Sequence, residues 1–322
     1  MMCQICTNAS SNKIHTAREM RLGTREQFKY LECSNCGCLQ ILDPPTDLSK
    51  YYPSTYGPFE GHRNAAPDSL LMRWARRKRA EYALSGKCLF GRLIALAKPI
   101  PWFYDQLRRC GEHLNSRILD LGCGGGSLLT SLYRDGFRCL LGVDAFVPQE
   151  NIQGIGGFRI LKGTVDDLAG EEPFDLIMMH HSLEHMPDHL HVLQSVHALL
   201  KPQAFLWIRT PVIGYGWRQY GVNWLRVEPP LHLFLHSIKS MRILCDQSGF
   251  KIEHISYDST EHLFLGSEQY ARDIAICDPN SWWVDPKRSI FTAEQVEAFK
   301  AKTRELNERG DGDQASFCLR RT

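Results

Sequence analysis

Histidine and acidic residues are concentrated in the stretch MMHHSLEHMPDHLH, which has five histidines between positions 180 and 191. Within it, His181-x-x-Glu184-His185 matches H-x-x-E-H, the inverted pattern of some zinc peptidases. That chemistry needs both histidines on one face of a helix. Here the preceding FDLIMM is an apolar run typical of a buried strand, and Pro187 would interrupt a helix. The pattern therefore predicts a strand that ends in a loop, and it argues against a catalytic zinc.

A second chemical pattern is the glycine-rich stretch RILDLGCGGGSLLTSLYRDG. It places Asp120 just before Gly122, Gly124 and Gly126, between a predicted strand and a predicted helix. Glycines at such a junction let the backbone turn sharply and approach a ligand closely. The G-x-G-x-G spacing differs from the dinucleotide fingerprint, and the preceding acid suits a ligand that carries an ammonium group. Asp144 ends the next predicted strand, where it could accept hydrogen bonds from ribose hydroxyls.

A third pattern is formed by two C-x-x-C pairs near the N-terminus, which comprise Cys3, Cys6, Cys33 and Cys36. The two-residue gap lets both thiolates of a pair reach one tetrahedral ion, and two pairs complete a four-sulfur site. Cys38 or His15 could replace one of the ligands. Because four thiolates leave no open position, the spacing predicts a structural zinc, which would supply folding free energy to a small polar region.

The whole-chain composition is that of an ordinary globular protein. Its 322 residues are 43% hydrophobic and 23% charged, with a formal net charge of +2, so no global field favours nucleic acid. The opening MMCQICTNAS lacks the features of a secretion signal, and the twelve cysteines are expected to lie in a reducing cytoplasm. No apolar run reaches the roughly 20 residues of a membrane span.

Alternating strand and helix patterns from residue 116 onward would position these residues. The predicted strands are 117–121, 139–143, 158–162, 174–180, 204–209, 251–257 and 315–320, and helices fit between them. One helix, DHLHVLQSVHALLKP, should end at Lys201-Pro202, and another should begin after Ser237 and stop at Gly249. This alternation predicts an α/β fold with a parallel sheet and crossover helices.

Composition divides the chain into three regions. We predict a zinc-ribbon module at 1–43, a tyrosine-rich connector with a helical segment at 44–110, and a catalytic domain at 111–322 with an insertion at 258–312. The connector includes the basic stretch ARRKRAE and the apolar stretch CLFGRLIALAKPIPWFY. Buried packing is the expected state of the apolar stretch, and contact with a membrane surface is the alternative.

Together the ordered features from about residue 110 resemble the class I S-adenosylmethionine-dependent methyltransferases. The resemblance rests on DLGCGGG, Asp144, the acidic turn at 166–167, FDLIMMHHSLEHMPD and LLKPQAFLWIRTP. It implies a Rossmann-like sheet of seven strands, mostly parallel with the last antiparallel. It also implies that the glycine loop holds the methionine moiety, Asp144 the ribose, and Val165 and Asp166 the adenine. His180 is included among the cofactor residues.

In this family the loop after the fourth strand faces the acceptor, where a base is needed to remove its proton. His181 and His185 are the first candidates for that base because imidazole titrates near neutral pH, and Glu184 could orient them. His232, in VEPPLHLFLHS, is a further candidate. Ubiquinone-pathway O-methyltransferases have a similar strand end, E-x-L-E-H, whose acids can hold magnesium; here His181 replaces the first Glu.

The cysteine-rich start and the YYPSTY connector look like those of bacterial enzymes that modify sugars and polysaccharides. Sugar C-methyltransferases of this kind have a large C-terminal domain, which the present sequence lacks, so we predict O-methylation of a hydroxyl on a nucleotide sugar or glycan. Six aromatic residues could stack on the acceptor: Tyr51, Tyr52, Tyr56, Trp217, Tyr220 and Trp224. The alternatives are an RNA methyltransferase with a zinc module and a non-catalytic protein that binds the cofactor or acts as a scaffold.

Overall fold

The computed structural model describes residues 1–52, 68–147, 152–153 and 157–322. Its twelve strands, numbered in chain order, are β1 Lys13–Arg18, β2 Gln27–Glu32, β3 Leu39–Leu42, β4 Arg117–Leu121, β5 Cys139–Asp144, β6 Ile152–Gln153, β7 Arg159–Lys162, β8 Phe174–His180, β9 Leu200–Pro211, β10 Phe234–Leu235, β11 Phe250–Tyr257 and β12 Gln314–Arg321. All seven strands predicted from the sequence are present, with boundaries that differ by a few residues.

The α-helices of the described residues are α1 Leu70–Ser85, α2 Leu89–Ala97, α3 Phe103–Arg109, α4 Ser127–Asp135, α5 His189–Leu199, α6 Tyr215–Tyr220, α7 Ile238–Ser248, α8 His262–Ala271 and α9 Ala293–Glu308. Local capping explains several of their ends. The Ser237 side chain accepts from the amide of Ser240 at the start of α7, and Gly249 ends it in the left-handed conformation, as predicted.

An eight-stranded sheet carries the fold, in the order β11-β12-β9-β8-β4-β5-β7-β6. Its central strands are parallel, whereas β12 is inserted antiparallel between β9 and β11. This order is that of a Rossmann-like methyltransferase sheet, and it confirms the predicted fold class. The two-residue β6 adds an antiparallel edge that was not predicted.

Two apolar layers cover the faces of this sheet. One includes Val192 and Val196 of α5, packed with Leu244 of α7. The other includes Leu129 and Leu132 of α4, together with residues of α1 and α3. Helices on both faces bury the parallel strands completely, which is why those strands read as continuous apolar runs.

A second, four-stranded sheet has the order β1-β2-β3-β10. Strand β10 comes from the catalytic region and pairs antiparallel with β3 through Phe234 and Leu235. The cysteine-rich region also shares an apolar cluster with distant residues such as Trp224, Phe264 and Leu306. The predicted boundary at residue 43 therefore crosses one continuous sheet and core, and the division into domains stays a prediction.

Two expectations from the sequence were wrong. Helix α5 ends at Leu199, and Lys201-Pro202 lie in β9, because β9 begins its pairing with β8 at Leu200. Most of the apolar stretch of the connector is not buried, since Gly91 is the only buried residue of α2, although Phe103 and Tyr104 at its end are buried. No helix in the described ranges is long and apolar enough to cross a membrane.

Candidate active site

A cavity of about 880 Å³ opens at the carboxyl ends of β4, β5, β7 and β8. This is the edge of an open α/β sheet at which ligands bind, because adjacent loops diverge there. The volume lies at the upper end of the range for small-molecule sites. All eight predicted cofactor residues except Gly126 line it, as do the three histidines proposed as bases. We call the part near β4, β5 and β7 the cofactor half and the part beyond β8 the acceptor half.

The glycine loop between β4 and α4 lies against the end of β8. Gly122 has a φ of +83°, and a Cβ at this position would lie 2.2 Å from the Cβ of Ser182. The hydroxyl of Ser182 donates to the carbonyl of Leu121 at 2.7 Å, which ties the two loops together. Only glycine meets both requirements at position 122. Gly126 also has a positive φ, and it precedes α4 without lining the cavity.

Asp120 is buried beneath the glycine loop, and its Oδ1 has no hydrogen-bond partner among the described residues. Burial and the nearby charge of Asp144 raise the pKa of Asp120 to about 7. A buried carboxylate without a partner is costly, and an ammonium group would relieve that cost. This position therefore fits the amino group of S-adenosylmethionine.

Asp144 at the end of β5 is held by two backbone amides. It accepts from Gly124 at 2.9 Å and from Phe146 at 2.8 Å, and both contacts leave lone pairs available to a ribose. Asp166 lies in the 3-10 turn after β7 and pairs with His191 at 2.8 Å. Val165 precedes it and lines the same wall. The cofactor roles of these residues stay predictions.

His180 at the end of β8 lines the cavity, but its ring lies between Trp102 and Trp207, with ring centroids 6.0 and 4.2 Å away. Neither ring nitrogen has a hydrogen-bond partner in the described part of the chain. Burial and the charge of Arg209 hold the pKa of His180 well below its usual value, so the ring is neutral.

His181 follows β8 and is tied on both sides. Its Nδ1 lies 3.3 Å from Oε1 of Glu184, and the Arg209 guanidinium donates to its Nε2 at 2.8 Å. The other oxygen of Glu184 accepts from Thr210 at 2.9 Å. Burial lowers the pKa of His181. With both nitrogens engaged, His181 is poorly placed to take a proton from an acceptor.

His185 ends a short 3-10 turn and is held through Nδ1 alone, which also lies 3.3 Å from the hydroxyl of Tyr52. Its Nδ1 lies 2.9 Å from the carbonyl of Leu231, which identifies Nδ1 as the protonated nitrogen. Within the described ranges no hydrogen bond engages Nε2. Burial and the neighbouring His232 lower the pKa of His185, so Nε2 has a free lone pair at neutral pH. His185 therefore has the geometry of a general base.

His232 packs against His185, with ring centroids 4.8 Å apart. Its Nδ1 contacts the carbonyl of Arg226 at 2.7 Å, and its Nε2 lies 3.6 Å from Glu228. Glu184, His185 and His232 also offer ligand atoms within 4.8 Å of one another, a separation that one cation could bridge. His181 and Thr210 each engage one oxygen of Glu184, and the remaining lone pairs stay available, so the contacts are compatible with a base and with a bound cation.

The acceptor half draws on residues that lie far apart in the sequence. The polar cavity-lining residues there are Arg21, Tyr52, His181, His185, Arg209, Arg226, Glu228, His232, Thr260, His262 and Gln314. The apolar Met186 and Pro187, in the loop after β8, line the cavity beside them. Arg21 reaches the cavity from the cysteine-rich region and pairs with Glu228.

Sequence reasoning missed Arg21, Arg209, Arg226 and Gln314 as lining residues. Arg209 was the easiest of these to predict, since it ends the predicted strand AFLWIR. Arg21 had no local signal, because the loop that carries it is shaped by Glu19, whose carboxylate accepts from the amides of Arg21, Leu22 and Thr24.

The aromatic residues proposed to stack on the acceptor are mostly structural. Trp224 is buried, and its indole donates to Asp313 at 3.0 Å, while Trp217 donates to Glu32 at 3.2 Å. Tyr51 is also buried, and Tyr220 bonds Glu268. Tyr56 lies outside the described residues. Of the proposed set, Tyr52 lines the cavity and stacks on Phe146 at 4.5 Å.

The four cysteine sulfurs form a compact cluster at the other end of the chain. The Sγ atoms of Cys3 and Cys36 lie 3.6 Å apart, and those of Cys6 and Cys33 lie 3.5 Å apart. Ligands at ~2.3 Å from a tetrahedral ion are separated by roughly 3.8 Å, so the cluster fits zinc. Cys38 and His15 do not belong to it, since His15 pairs with Glu32.

The chain is similar to known methyltransferases. A family model described as a methyltransferase domain matches residues 77–255. The ubiquinone biosynthesis O-methyltransferase of Haemophilus ducreyi is 30% identical over 181 residues, which cover 50% of this chain and 76% of that protein. The enzyme of the same name from Actinobacillus pleuropneumoniae is 32% identical over 129 residues, with coverages of 36% and 54%.

Among solved structures, a SAM-dependent methyltransferase from Archaeoglobus fulgidus has a TM-score of 0.42 at 20% identity, and the match covers 67% of this chain and 92% of that one. A likeness at this level carries no functional conclusion. The family model spans more than half of the chain, and the sheet order and glycine loop agree with it. The chain therefore belongs to the methyltransferase-domain family, and it is an S-adenosylmethionine-dependent methyltransferase.

Proposed function

We propose that the enzyme transfers a methyl group to a hydroxyl of a sugar, as part of a nucleotide sugar or a glycan. The observation that carries this proposal is the set of eleven hydrogen-bonding side chains that line the acceptor half beside the apolar Met186 and Pro187. A polyhydroxylated acceptor pairs with such a lining, whereas a long apolar acceptor would leave its polar groups unsatisfied.

The cofactor half supports binding of S-adenosylmethionine through three groups. Asp120 has an unpaired buried oxygen for the amino group, Asp144 has lone pairs for the ribose, and the backbone at Gly122 can approach the ligand closely. When bound, the cofactor supplies a methyl group that is already activated by its sulfonium. The remaining task of the protein is to align the acceptor oxygen and to remove its proton.

His185 is the residue that we assign to proton removal. Its Nδ1–H is held by the carbonyl of Leu231, so Nε2 accepts the proton of the acceptor hydroxyl. Asp120, Asp144 and the backbone at Gly122 would hold S-adenosylmethionine, which would supply the methyl group to that oxygen and retain on sulfur the electron pair of the broken carbon–sulfur bond. Glu184 and His232 lie beside the imidazolium that results, and the carboxylate stabilises its charge.

Arg226 is placed to orient the acceptor. Its Nη2 donates to Gln314 at 3.2 Å, and its buried Nε lies 3.9 Å from the Oδ2 of Asp313, an ion pair without a hydrogen bond. The guanidinium lines the cavity, where a hydroxyl or phosphate oxygen of the acceptor could accept from it.

We further propose that Cys3, Cys6, Cys33 and Cys36 hold a structural zinc ion. Amides surround the sulfurs, with Asn35 Nδ2 at 3.4 Å from Cys6 and the backbone amide of Cys36 at 3.5 Å from Cys33. Such donors stabilise thiolates in the manner of an outer ligand shell. All twelve cysteines are free, which fits the predicted cytoplasmic location.

The test is an acceptor screen with methyl-labelled cofactor. Purified enzyme is incubated separately with nucleotide sugars, extracted cell-surface glycan, a catechol and total RNA. We expect label in a sugar fraction, released as an O-methyl sugar after hydrolysis. Label confined to the catechol would overturn the proposal in favour of a phenolic acceptor, and label confined to RNA would overturn it in favour of nucleic acid.

A further inference from the structure

The structure exposes an unusual surface on the hairpin formed by α1, α2 and the segment leading to α3, residues 69–102, which we call the basic-apolar hairpin. Of the seventeen large hydrophobic side chains that are exposed among the described residues, ten lie on it: Leu70, Leu71, Met72, Trp74, Leu89, Phe90, Leu93, Leu96, Ile100 and Trp102. Leu70 is 82% exposed and Leu96 is 81% exposed. Such a concentration of apolar surface marks an interaction site.

Exposed residues of the two helices meet across the hairpin. Leu89, Leu93 and Leu96 recur at the spacing of one side of a helix. Across the hairpin, the rings of Trp74 and Phe90 are in contact, with centroids 6.0 Å apart. The two helices cross closely at Gly91, where a Cβ would lie 2.0 Å from the carbonyl oxygen of Lys78. Trp74 therefore joins the exposed face of α1 to that of α2.

The opposite side of the hairpin is anchored to the catalytic domain. Ala80 and Ala83 are buried against the layer that includes α4. Asp68 pairs with Arg76 and Arg134, and Asp135 pairs with Arg76 and Arg79. These buried carboxylates hold α1 in one orientation, so the apolar face is displayed as a fixed surface.

Positive charge surrounds the apolar face. Residues 69–102 contain eight lysines and arginines and a single acid, Glu81, which pairs with Arg77 and Lys78. No salt bridge joins Arg73, Lys87, Arg92 or Lys98 to a carboxylate within the described ranges, and most of these side chains are exposed. The whole chain has a net charge of only +2, so this excess is local.

From this combination we infer that the basic-apolar hairpin binds the surface of a bilayer that contains anionic lipid. The apolar side chains would enter the interface while the lysines and arginines pair with headgroups. At 1.5 Å per residue, the nine residues of α2 span roughly 14 Å, about half of a hydrocarbon core, so the hairpin would lie on the membrane. A soluble acidic partner would match the positive charge, but it would not offer the broad apolar face an apolar surface to bind.

The hairpin also adjoins the cavity. Trp102 is 56% exposed at one end of the apolar face. Its ring contacts the His180 ring and lies 4.9 Å from the Arg209 guanidinium carbon, and both residues line the cavity. Membrane binding through the hairpin would therefore bring the wall of the acceptor half close to the lipid surface. This inference does not depend on the identity of the acceptor.

The experiment is flotation of the full chain with vesicles of phosphatidylcholine, with or without phosphatidylglycerol. We expect binding to the mixed vesicles, weakened by added salt, and little binding to phosphatidylcholine alone. The double variant Leu93→Glu/Leu96→Glu alters two exposed positions, and we expect it to reduce the partition coefficient by about tenfold or more. Arg73→Glu/Arg92→Glu should reduce binding to the mixed vesicles selectively.

Matched controls place the same changes outside the hairpin. Val284→Glu introduces an acid at an exposed apolar position, and Arg304→Glu reverses an exposed charge on α9; both should bind vesicles like the wild type. Equal binding by the hairpin and control variants would overturn the inference. A second result would also overturn it: the wild type does not bind vesicles but forms a dimer, and Leu93→Glu/Leu96→Glu dissociates that dimer. The face would then join two copies of the chain. Circular dichroism of each variant verifies folding.

Discussion

The two halves of the cavity are built in different ways. The cofactor half comes from short segments at neighbouring strand ends, chiefly 120–124, 144 and 164–166. The acceptor half combines a loop of the cysteine-rich region, the connector, the ends of β8 and β9, the loop before β10 and the start of β12. One half is therefore local in the sequence, and the other exists only after distant segments have packed together.

This difference separates two kinds of binding. Backbone turns and one or two acids suffice for a cofactor that is the same in every member of the family. Recognition of the acceptor depends on side chains such as Arg21 and Arg226, whose positions are set by packing elsewhere. Substitutions in one half should therefore affect cofactor binding, and substitutions in the other half should affect turnover and acceptor binding.

The largest effect is expected for His185→Asn, which removes the proposed base from the acceptor half. We expect kcat to fall by about 10²- to 10⁴-fold while cofactor affinity changes little. Single-turnover kinetics and calorimetry measure the two quantities. His181→Asn is the comparison variant, because Glu184 and Arg209 already engage the two ring nitrogens of His181 in the wild type. An activity that instead required added magnesium would point to a cation at Glu184, His185 and His232.

In the cofactor half, Asp144→Ala should weaken binding of S-adenosylmethionine by about 10- to 100-fold, because it removes hydrogen bonds made by a charged group. Titration calorimetry gives the dissociation constant. Asp166→Ala is the control. Asp166 is a more exposed acid that already pairs with His191, so its removal should weaken cofactor binding less. Equal effects of the two substitutions would contradict the roles assigned to these residues.

Loss of the proposed zinc ion should affect the acceptor half selectively. Cys6→Ser should remove one bound zinc per chain, measured by elemental analysis, and should lower kcat/KM for the acceptor by about tenfold. The reason is that Arg21 and the β1–β3 sheet pack against the loop before β10. Cofactor affinity should stay within about threefold of the wild type if the halves are independent. Cys277→Ser, at an exposed cysteine, is the matched control.

The smallest effect is a pH dependence of cofactor binding. Asp120, whose pKa is about 7, is mostly protonated at pH 6 and mostly ionised at pH 7.5. Because the ionised carboxylate attracts the ammonium group, affinity should rise by about eightfold over that interval. Asp120→Asn should remove the rise. An unchanged pH dependence in this variant would show that another group controls binding.

Much of the cofactor half was predictable because its signals are short. A strand, a glycine turn and an acid at the next strand end are readable from residues 117–144, and the structure brings Gly122 against Ser182 as such a turn requires. The preference for His185 over His181 was not readable. It depends on Leu231 and Arg209, which contact the two imidazoles from segments 28 to 46 positions away.

The aromatic residues illustrate the same limit. Trp217 and Trp224 read as equally suited to stacking on a sugar or filling a core, and long-range packing with the cysteine-rich region placed both in the core. Conversely, the apolar character of α2 predicted burial, but no described element covers its outer face. Hydrophobic content alone does not specify which surface, if any, is present to bury it.

The sequence by itself determined the fold class, the positions of the seven main strands and the cysteine pairs. These features follow from periodicity and from the spacing of a few residues. Tertiary structure decided which histidine has a free nitrogen, which arginines face the acceptor and which apolar helix stays exposed. Those features depend on contacts between residues separated by tens to hundreds of positions, and such contacts form only when distant segments of the chain pack together.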